Sequence, residues 1–481
     1  MHDLLAALRH RPWIPVLLLF TAAMFLYCTH WYPGPGGRVW YGDSVSFQFY
    51  AISHSLGHPP GYPQYLALIR AIALAPLGQA WQRVDFASSL FAAAALCSYG
   101  WLARVWRVSR LGVWGAIATL ALSRTFFLQA TEAEVYSLNS FWVLSCLALI
   151  SMQLRTGDSK WLWGFFAAYG CALGHHPTMV LLVLPVFVTI VVHRPQLLKR
   201  WQTYVGACLA IVLGLSQYVY TYKLFVAPDL SYRFASYSQY DLQSFIEFTT
   251  GAGYKKLMFS RPLVDVWTDK LPNLLRIAHA QNTLLLALLG ILGLVLARAR
   301  SSAHRTLQLL TMTAYAIWAL GYDVSDIDAF CTPLWALCYI DVVAGAHALF
   351  LRRVPTSVAL LLVFVLNAVG FRDAVIARGD YHPHNRLLAI ADEQLAHVPA
   401  GASLLVAGKY EGNSALAALF RYLEASRDRG PLRTLSKVKA CEPDIYFTDS
   451  AKKQIRFRRY RSERVAHLPL TKEDLHRLLC D

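Results

Sequence analysis

Arg9 to Cys28 reads RHRPWIPVLLLFTAAMFLYC: two arginines, then an uncharged run that starts at Trp13. At 1.5 Å per residue a helix over Trp13 to Cys28 reaches about 24 Å, most of the ~30 Å apolar core of a bilayer. Similar uncharged runs occur at Phe86 to Leu102, Val180 to Val192 and Asn282 to Leu296. They predict a polytopic α-helical membrane protein. Composition agrees, since 56% of the 481 residues are hydrophobic and 15% charged, against about a quarter charged in soluble domains.

The formal charge of +16 does not point to nucleic acid. Its basic residues fall in short clusters rather than one patch. Arg9 and Arg11, Arg104 with Arg107 and Arg110, His193 to Arg200, Arg298 to Arg305, and Arg352 with Arg353 recur at alternate connections. Under the positive-inside rule those connections are cytoplasmic. Trp31 to Gly37 shows no small-residue cleavage pattern, so the first run is expected to remain as an anchor. The nine cysteines form no CxxC or Cys/His pattern of metal-ligand spacing, and no pairing of Cys441 with Cys480 is inferred.

Counting onward places helices near 86–103, 111–128, 135–154, 161–173, 178–193, 202–222, 282–298, 305–321, 330–351 and 355–371, about eleven spans with the first. A long external loop, 31–85, holds an interfacial helix within Val45 to Leu56 and a short re-entrant or interfacial helix from Tyr62 to Leu77. Parity puts Thr125 to Glu134, Gly174 to Thr178, the loop 223–281, Tyr322 to Ala329 and everything after Phe371 on the outside. The spans and their loops make a membrane domain over 1–371. Residues 372–481 are richer in charge and alternate strand, helix and strand, which predicts a small external α/β domain. Its basic run, Lys452 to Arg464, reads either as a headgroup or glycan contact or as a solvated face.

Acids near the membrane are costly, so each external one calls for a reason. Asp43 either caps the interfacial helix or acts as a carboxylate that takes a proton from a hydroxyl or holds a divalent cation, Mg2+ or Mn2+, beside a phosphate. In HPPGYP, His58 to Pro63, the prolines fix the backbone and Gly61 allows a turn; this holds His58 and Tyr62 rigidly, at a pocket or at a mere helix corner. Glu132 and Glu134 open a helix, where a favourable dipole explains one of them; Glu134 ranks first. His175 and His176 are adjacent and point apart, so one histidine toward an anionic phosphate fits better than joint metal ligation.

Taken together, GDS at Gly42 to Ser44, LGHPPGYP at Leu56 to Pro63, QATEAEVYSLN at Gln129 to Asn139, LGHHPT at Leu173 to Thr178 and YDVSDIDAF at Tyr322 to Phe330 resemble one family. It is the protein O-mannosyltransferase family typified by transmembrane protein 260, and the likeness runs collinearly over about 38–335. The resemblance implies a GT-C-like fold and a glycosyltransferase that takes sugar from a polyprenyl-phosphate carrier on the external face, in a bacterial inner membrane with the N-terminus cytoplasmic and the C-terminal domain periplasmic. It implies a protein, lipid or glycan acceptor, and Asp43 as the first-loop acid, with His58, Glu134, His175, His176, Asp326 and Asp328 lining the same cavity. The family's first-loop aspartate is followed three residues later by a glutamate, where this chain has Ser46. Glu134 or an aspartate of Asp323 to Asp328 is then expected to compensate, unless the chain is altered in substrate or inactive. Arg83, Arg124, Arg233, Lys255 and Lys256 are external by parity, each a phosphate partner or a snorkelling charge. A flippase of isoprenoid-linked substrate and a non-catalytic envelope-assembly partner are the competing functions.

Overall fold

The computed structural model describes residues 13–32, 34–37, 43–230, 232–233, 237, 239–281, 290–293, 300–350, 371, 375, 382–399, 401–405, 414–426, 433–435, 444–448, 461–469 and 473–479. Arg9, Arg11, Gly42, Arg352, Arg353, Cys441, Cys480, all but the last residue of the helix expected near 355–371, most of that near 282–298, the Arg233 side chain and the basic run up to Tyr460 lie outside the described residues.

In chain order the membrane part runs through α1 (Trp13–Cys28), α2 (Ser44–Ile52), α3 (Pro63–Ala73), α4 (Ala80–Val105), α5 (Arg110–Ala121), α6 (Arg124–Ala130), α7 (Tyr136–Thr156), α8 (Ser159–Leu173), α9 (Val183–His193) and α10 (Trp201–Val226). It continues through α11 (Leu242–Thr249), α12 (Leu271–Gln281), α13 (Ser302–Gly321), α14 (Ile327–Phe330) and α15 (Thr332–Phe350). Polar side chains mark the helix starts: Ser109 accepts the Gly112 N–H at 3.1 Å, Asp158 the Lys160 N–H at 3.0 Å, and Asp241 the Ser244 N–H at 2.8 Å.

Among the described residues, α4, α7 and α10 are long and apolar enough to cross a membrane, and α5 with α6, bent by 68°, makes a fourth. Apolar helices over Ile14–Cys28, Pro177–His193 and Thr332–Ala346 are shorter, and the expected eleven spans go beyond this set. The outward face of α10 carries Leu209, Ile211, Val212, Leu215 and Val219, all exposed. Such a stripe is stable only against hydrocarbon.

The two ends of the bundle differ in chemistry. At one end Arg194 donates to the Leu154 carbonyl at 2.8 Å and Arg200 to that of Gly157 at 3.4 Å. There too His304 Nε2 meets the Ser151 carbonyl at 3.1 Å, and Arg300 lies 5.0 Å over the Trp106 ring. Among the described residues, the connections 193–200 and 300–305 are thereby gathered at one end. At the other end Gln64 N–H donates to Gly174 O at 3.1 Å, drawing HPPGYP to the double-histidine turn.

Two expectations for the first loop need correction. Helix α4 begins at Ala80 rather than 86, because Gln79 and Gln82 form a reciprocal capping box; Arg83 and Asp85 are therefore helical. Helix α2 is not an interfacial helix with one wet face, since Val45, Phe47, Gln48, Phe49, Tyr50 and Ala51 are all buried. Gln48 explains the tie on one side: it donates to Asp85 Oδ1 at 3.0 Å and accepts the Gly36 N–H at 2.8 Å. By contrast α3 has 11 residues, about 16 Å, too short to span.

The C-terminal part covers the other side of α2. Helices α16 (His382–Leu395) and α17 (Ser414–Ser426) accompany a sheet of β3 (Ser403–Leu405), β4 (Arg433–Leu435), β5 (Ile445–Thr448), β6 (Arg461–Leu468) and β7 (Glu473–Leu479), after a two-residue pair, β1 (Ser55–Leu56) with β2 (Tyr232–Arg233). Its order is β4-β3-β5-β7-β6, parallel among the first three and antiparallel beyond. Leu419, Phe420, Tyr422 and Leu423 of α17 share a core with Phe47, Tyr50 and Trp81. Buried Tyr422 accepts the backbone N–H of Trp81 at 3.1 Å, capping an orphan amide of α4.

Candidate active site

Asp43 precedes α2, yet its side chain makes no capping hydrogen bond; its backbone carbonyl accepts the Phe47 N–H at 2.8 Å. That leaves the carboxylate for other work. Oδ2 lies 2.9 Å from His58 Nε2, with the Asp43 side chain 51% exposed and that of His58 9%. His58 Nδ1 faces the Pro59 carbonyl at 3.0 Å. Both ring nitrogens thus meet acceptors, which favours the imidazolium. Burial opposes the charge of His58, but the charge of Asp43, the hydrogen bond to it and the Pro59 carbonyl hold its pKa above the ordinary value. Burial likewise opposes ionisation of Asp43, and the His58 charge outweighs it, so the carboxyl sits low.

The local sequence makes this geometry rigid. Gly61 has φ +91°, and a Cβ there would come within 2.8 Å of Thr221 Cγ2 and 3.0 Å of Phe248, so only glycine fits the turn. Tyr62 follows at φ 40°, a left-handed conformation held by its neighbours. Its ring lies 5.1 Å from His58, 5.9 Å from Phe47 and 5.6 Å, stacked, from His176.

Glu134 comes to the same place from a different segment: its Oε1 accepts the backbone N–H of Asp43 at 2.9 Å. Ser88 of α4 fixes it by accepting the Glu134 N–H at 3.1 Å. Burial, followed by the charges of Asp43, Glu132 and Asp326, raises the Glu134 pKa well above the ordinary value, despite the opposing Asp43 N–H. Its protonated form is thereby favoured. Asp326 joins through Tyr136, whose hydroxyl donates to Oδ2 at 2.8 Å. Burial, only partly offset by that hydrogen bond, pushes Asp326 up to about 6.

The other expected residues take different positions. His175 and His176 are buried and do not serve as cations: burial drives His175 down to about 3 and His176 well below its ordinary value. His175 Nε2 meets the Val135 carbonyl at 3.0 Å, and His176 Nδ1 accepts the Thr178 N–H at 3.2 Å, so one nitrogen of each ring braces the turn. Arg83 donates to the carbonyls of Leu77 and Gly78 at 3.0 and 2.8 Å, bracing the turn before α4 instead of a ligand. Asp328 is turned aside to Thr125, which donates to it at 3.3 Å, and Arg124 opens α6 on that same side. Asp323 is ion-paired with Arg261 at 2.7 Å and with Lys270. His54 pairs with Asp229 at 3.7 Å. Lys255 and Lys256 are exposed on the turn Ala252–Leu257.

Sequence reasoning did not single out Ser88 or Tyr136, the residues that hold Glu134 and Asp326. Tyr136 stood within the quoted QATEAEVYSLN, but nothing in the chain signals a partner at Asp326. Among the described residues no three His, Cys, Asp or Glu side chains could hold a metal ion together. His58 already lies on the Asp43 oxygen, so this donor set does not fit a protein-held divalent cation.

Residues 43–200, beginning at Asp43 itself, match the family model for the protein O-mannosyl-transferase TMEM260 N-terminal domain. The chain carries a glycosyltransferase domain. Its fold is similar to that of ArnT from Cupriavidus metallidurans bound to undecaprenyl phosphate, with TM-score 0.65 and 13% identity over 96% of this chain and 96% of that one. It is similar also to the apo oligosaccharyltransferase of Archaeoglobus fulgidus, with TM-score 0.53 and 10% identity over 88% of this chain and 65% of that one. The latter protein tethered with an acceptor peptide containing the NVT sequon matches with TM-score 0.52 and 10% identity, over 88% and 64% of the two chains. No curated protein is significantly similar in sequence. The architecture is therefore GT-C-like, and the chain is a membrane protein.

Proposed function

We propose that the chain transfers a sugar from a polyprenyl-phosphate donor to a hydroxyl of a protein, lipid or glycan acceptor, on the periplasmic side of a bacterial inner membrane. The observation that carries this reading is the half-exposed Asp43 carboxylate, free of capping duty and paired with His58, while Glu134 holds the Asp43 backbone N–H. The gathered basic connections at the opposite end support a cytoplasmic placement for that end, with the C-terminal domain periplasmic.

In this reading the acceptor O–H donates to Asp43 and attacks the anomeric carbon from the face opposite the phosphate. The new C–O bond forms as the bond to phosphate oxygen breaks, so configuration inverts. The proton passes to Asp43 and the electron pair leaves on polyprenyl phosphate. A carboxylate of low pKa accepts this proton because the hydroxyl becomes strongly acidic as its oxygen bonds to carbon. His58 keeps Asp43 ionised and, with Lys255, supplies positive charge near the phosphate. Glu134 fixes the backbone of Asp43 and fills the place of the acid missing at Ser46.

The test is turnover of a mannosyl polyprenyl phosphate by purified protein in lipid. Release of polyprenyl phosphate, coupled to glycosylation of an envelope extract and lost in Asp43→Asn, supports the reading; lipid movement across the bilayer without release would make the chain a transporter.

A further inference from the structure

Between Tyr254 and Lys270 the chain exposes large apolar side chains: Phe259 is 67% exposed, Leu263 80%, Val264 68% and Trp267 69%. In water such a cluster is unfavourable, and nothing among the described residues covers it. Its placement says what does. Met258 bridges Tyr322 at the end of α13, Asp323 N–H donates to Leu257 O at 2.9 Å, and the Phe259 ring lies against Gly321. One turn down α13, Ile317 is 55% exposed on the same apolar exterior. The cluster thus continues the exposed apolar surface of α13 past the end of that helix.

The segment is also tied to the site. Asp323 holds it through Arg261 and Lys270 and stands three residues before Asp326. Tyr254, at its other end, lies close enough to raise the pKa of Tyr62. Exposed Lys255 and Lys256 flank the apolar side chains, the pairing of apolar and basic groups that suits the headgroup layer.

We propose that Phe259, Leu263, Val264 and Trp267 sit in the outer headgroup layer and form the portal that holds the isoprenoid chain of the lipid-linked donor as its phosphate reaches the Asp43–Asp326 region. This rests on the transferase reading. It departs from a passive anchor because the same segment is clamped to the turn that presents Asp326.

The test compares a long-chain polyprenyl-phosphate sugar with a short-chain, water-soluble analogue, using Leu263→Asp and Trp267→Asp. Removing one such apolar contact is expected to lower kcat/KM about tenfold or more for the long-chain donor, while the short-chain donor is turned over as by wild type. Equal loss with both donors, or loss with neither, overturns the portal. A photoreactive isoprenyl phosphate applied to the wild-type protein gives a second reading that does not depend on the variants' folding: labelling within 259–267, competed by unlabelled polyprenyl phosphate, is expected, and labelling confined elsewhere overturns the proposal. Failure of the wild type to turn over either donor, with labelling of 259–267 intact, removes the transferase reading and leaves the lipid site standing.

Discussion

His58 Nε2 stands 2.9 Å from Asp43 Oδ2, while the backbone N–H of that same aspartate is held by Glu134 at 2.9 Å. One residue is therefore fixed at side chain and main chain by partners from two other segments. An aspartate kept only as a helix cap would be bonded to the amides of its own first turn, and Asp43 is not.

Replacing Asp43 with Asn is expected to lower turnover by about a hundredfold or more, the usual contribution of a positioned proton acceptor. No cap is lost, but the ion pair with His58 is, so a fall in melting temperature no larger than that of His58→Gln is expected. Radiolabelled transfer and a thermal melt in detergent check the two halves separately; a large drop in melting temperature with activity retained would make the residue structural.

Glu134 separates charge from geometry. Since burial and neighbouring acids favour its protonated form, Glu134→Gln preserves the acceptor for the Asp43 N–H and should retain most of the activity. Glu134→Ala leaves that amide without its partner, at a cost of about 1–3 kcal/mol. Transfer rates of the two variants, side by side, decide this; a dead Gln variant would mean that the ionised form is needed.

The ion pair sets a pH window. His58 is raised in the folded protein, so its contribution is complete below its ordinary value of about 6.5 and disappears as pH rises through the higher folded value. Asp43 is lowered, so its contribution is present above about 3.8 and disappears as pH falls through its folded value. The difference in melting temperature between wild type and His58→Gln is therefore expected to be large near pH 5–6 and to fade in alkali. A difference that grows with pH would contradict the pair.

Chelation tests the donor set. With His58 on the Asp43 oxygen, EDTA is expected to leave transfer unchanged; loss of activity restored by Mg2+ or Mn2+ would return a cation to Asp43.

Tyr422 tests the seat of the C-terminal part on the catalytic loop. Tyr422→Phe strips the Trp81 amide of its acceptor and should destabilise the protein by about 1 kcal/mol, read as a lowered melting temperature. An unchanged melt would show that the contact contributes nothing.

The membrane architecture was legible because it depends on nearest-neighbour properties. An uncharged run such as Trp13 to Cys28 must leave water wherever the rest of the chain goes, and basic clusters between such runs report their parity. HPPGYP was legible for a similar reason, since Pro and Gly restrict their own dihedrals. The start of α4 was misplaced because Gln79 and Gln82 are a weaker cap signal than the serines and aspartates that mark other helices.

The chain by itself determined that its uncharged runs belong in lipid, and it predicted by parity that Asp43, His58 and Glu134 share one side. It could not settle which of those groups carries charge. The tertiary structure decided that, because charge state follows from burial and from partners distant in sequence: against burial, Asp43 raises the pKa of His58; burial followed by three nearby acids raises that of Glu134; and enclosure lowers those of His175 and His176.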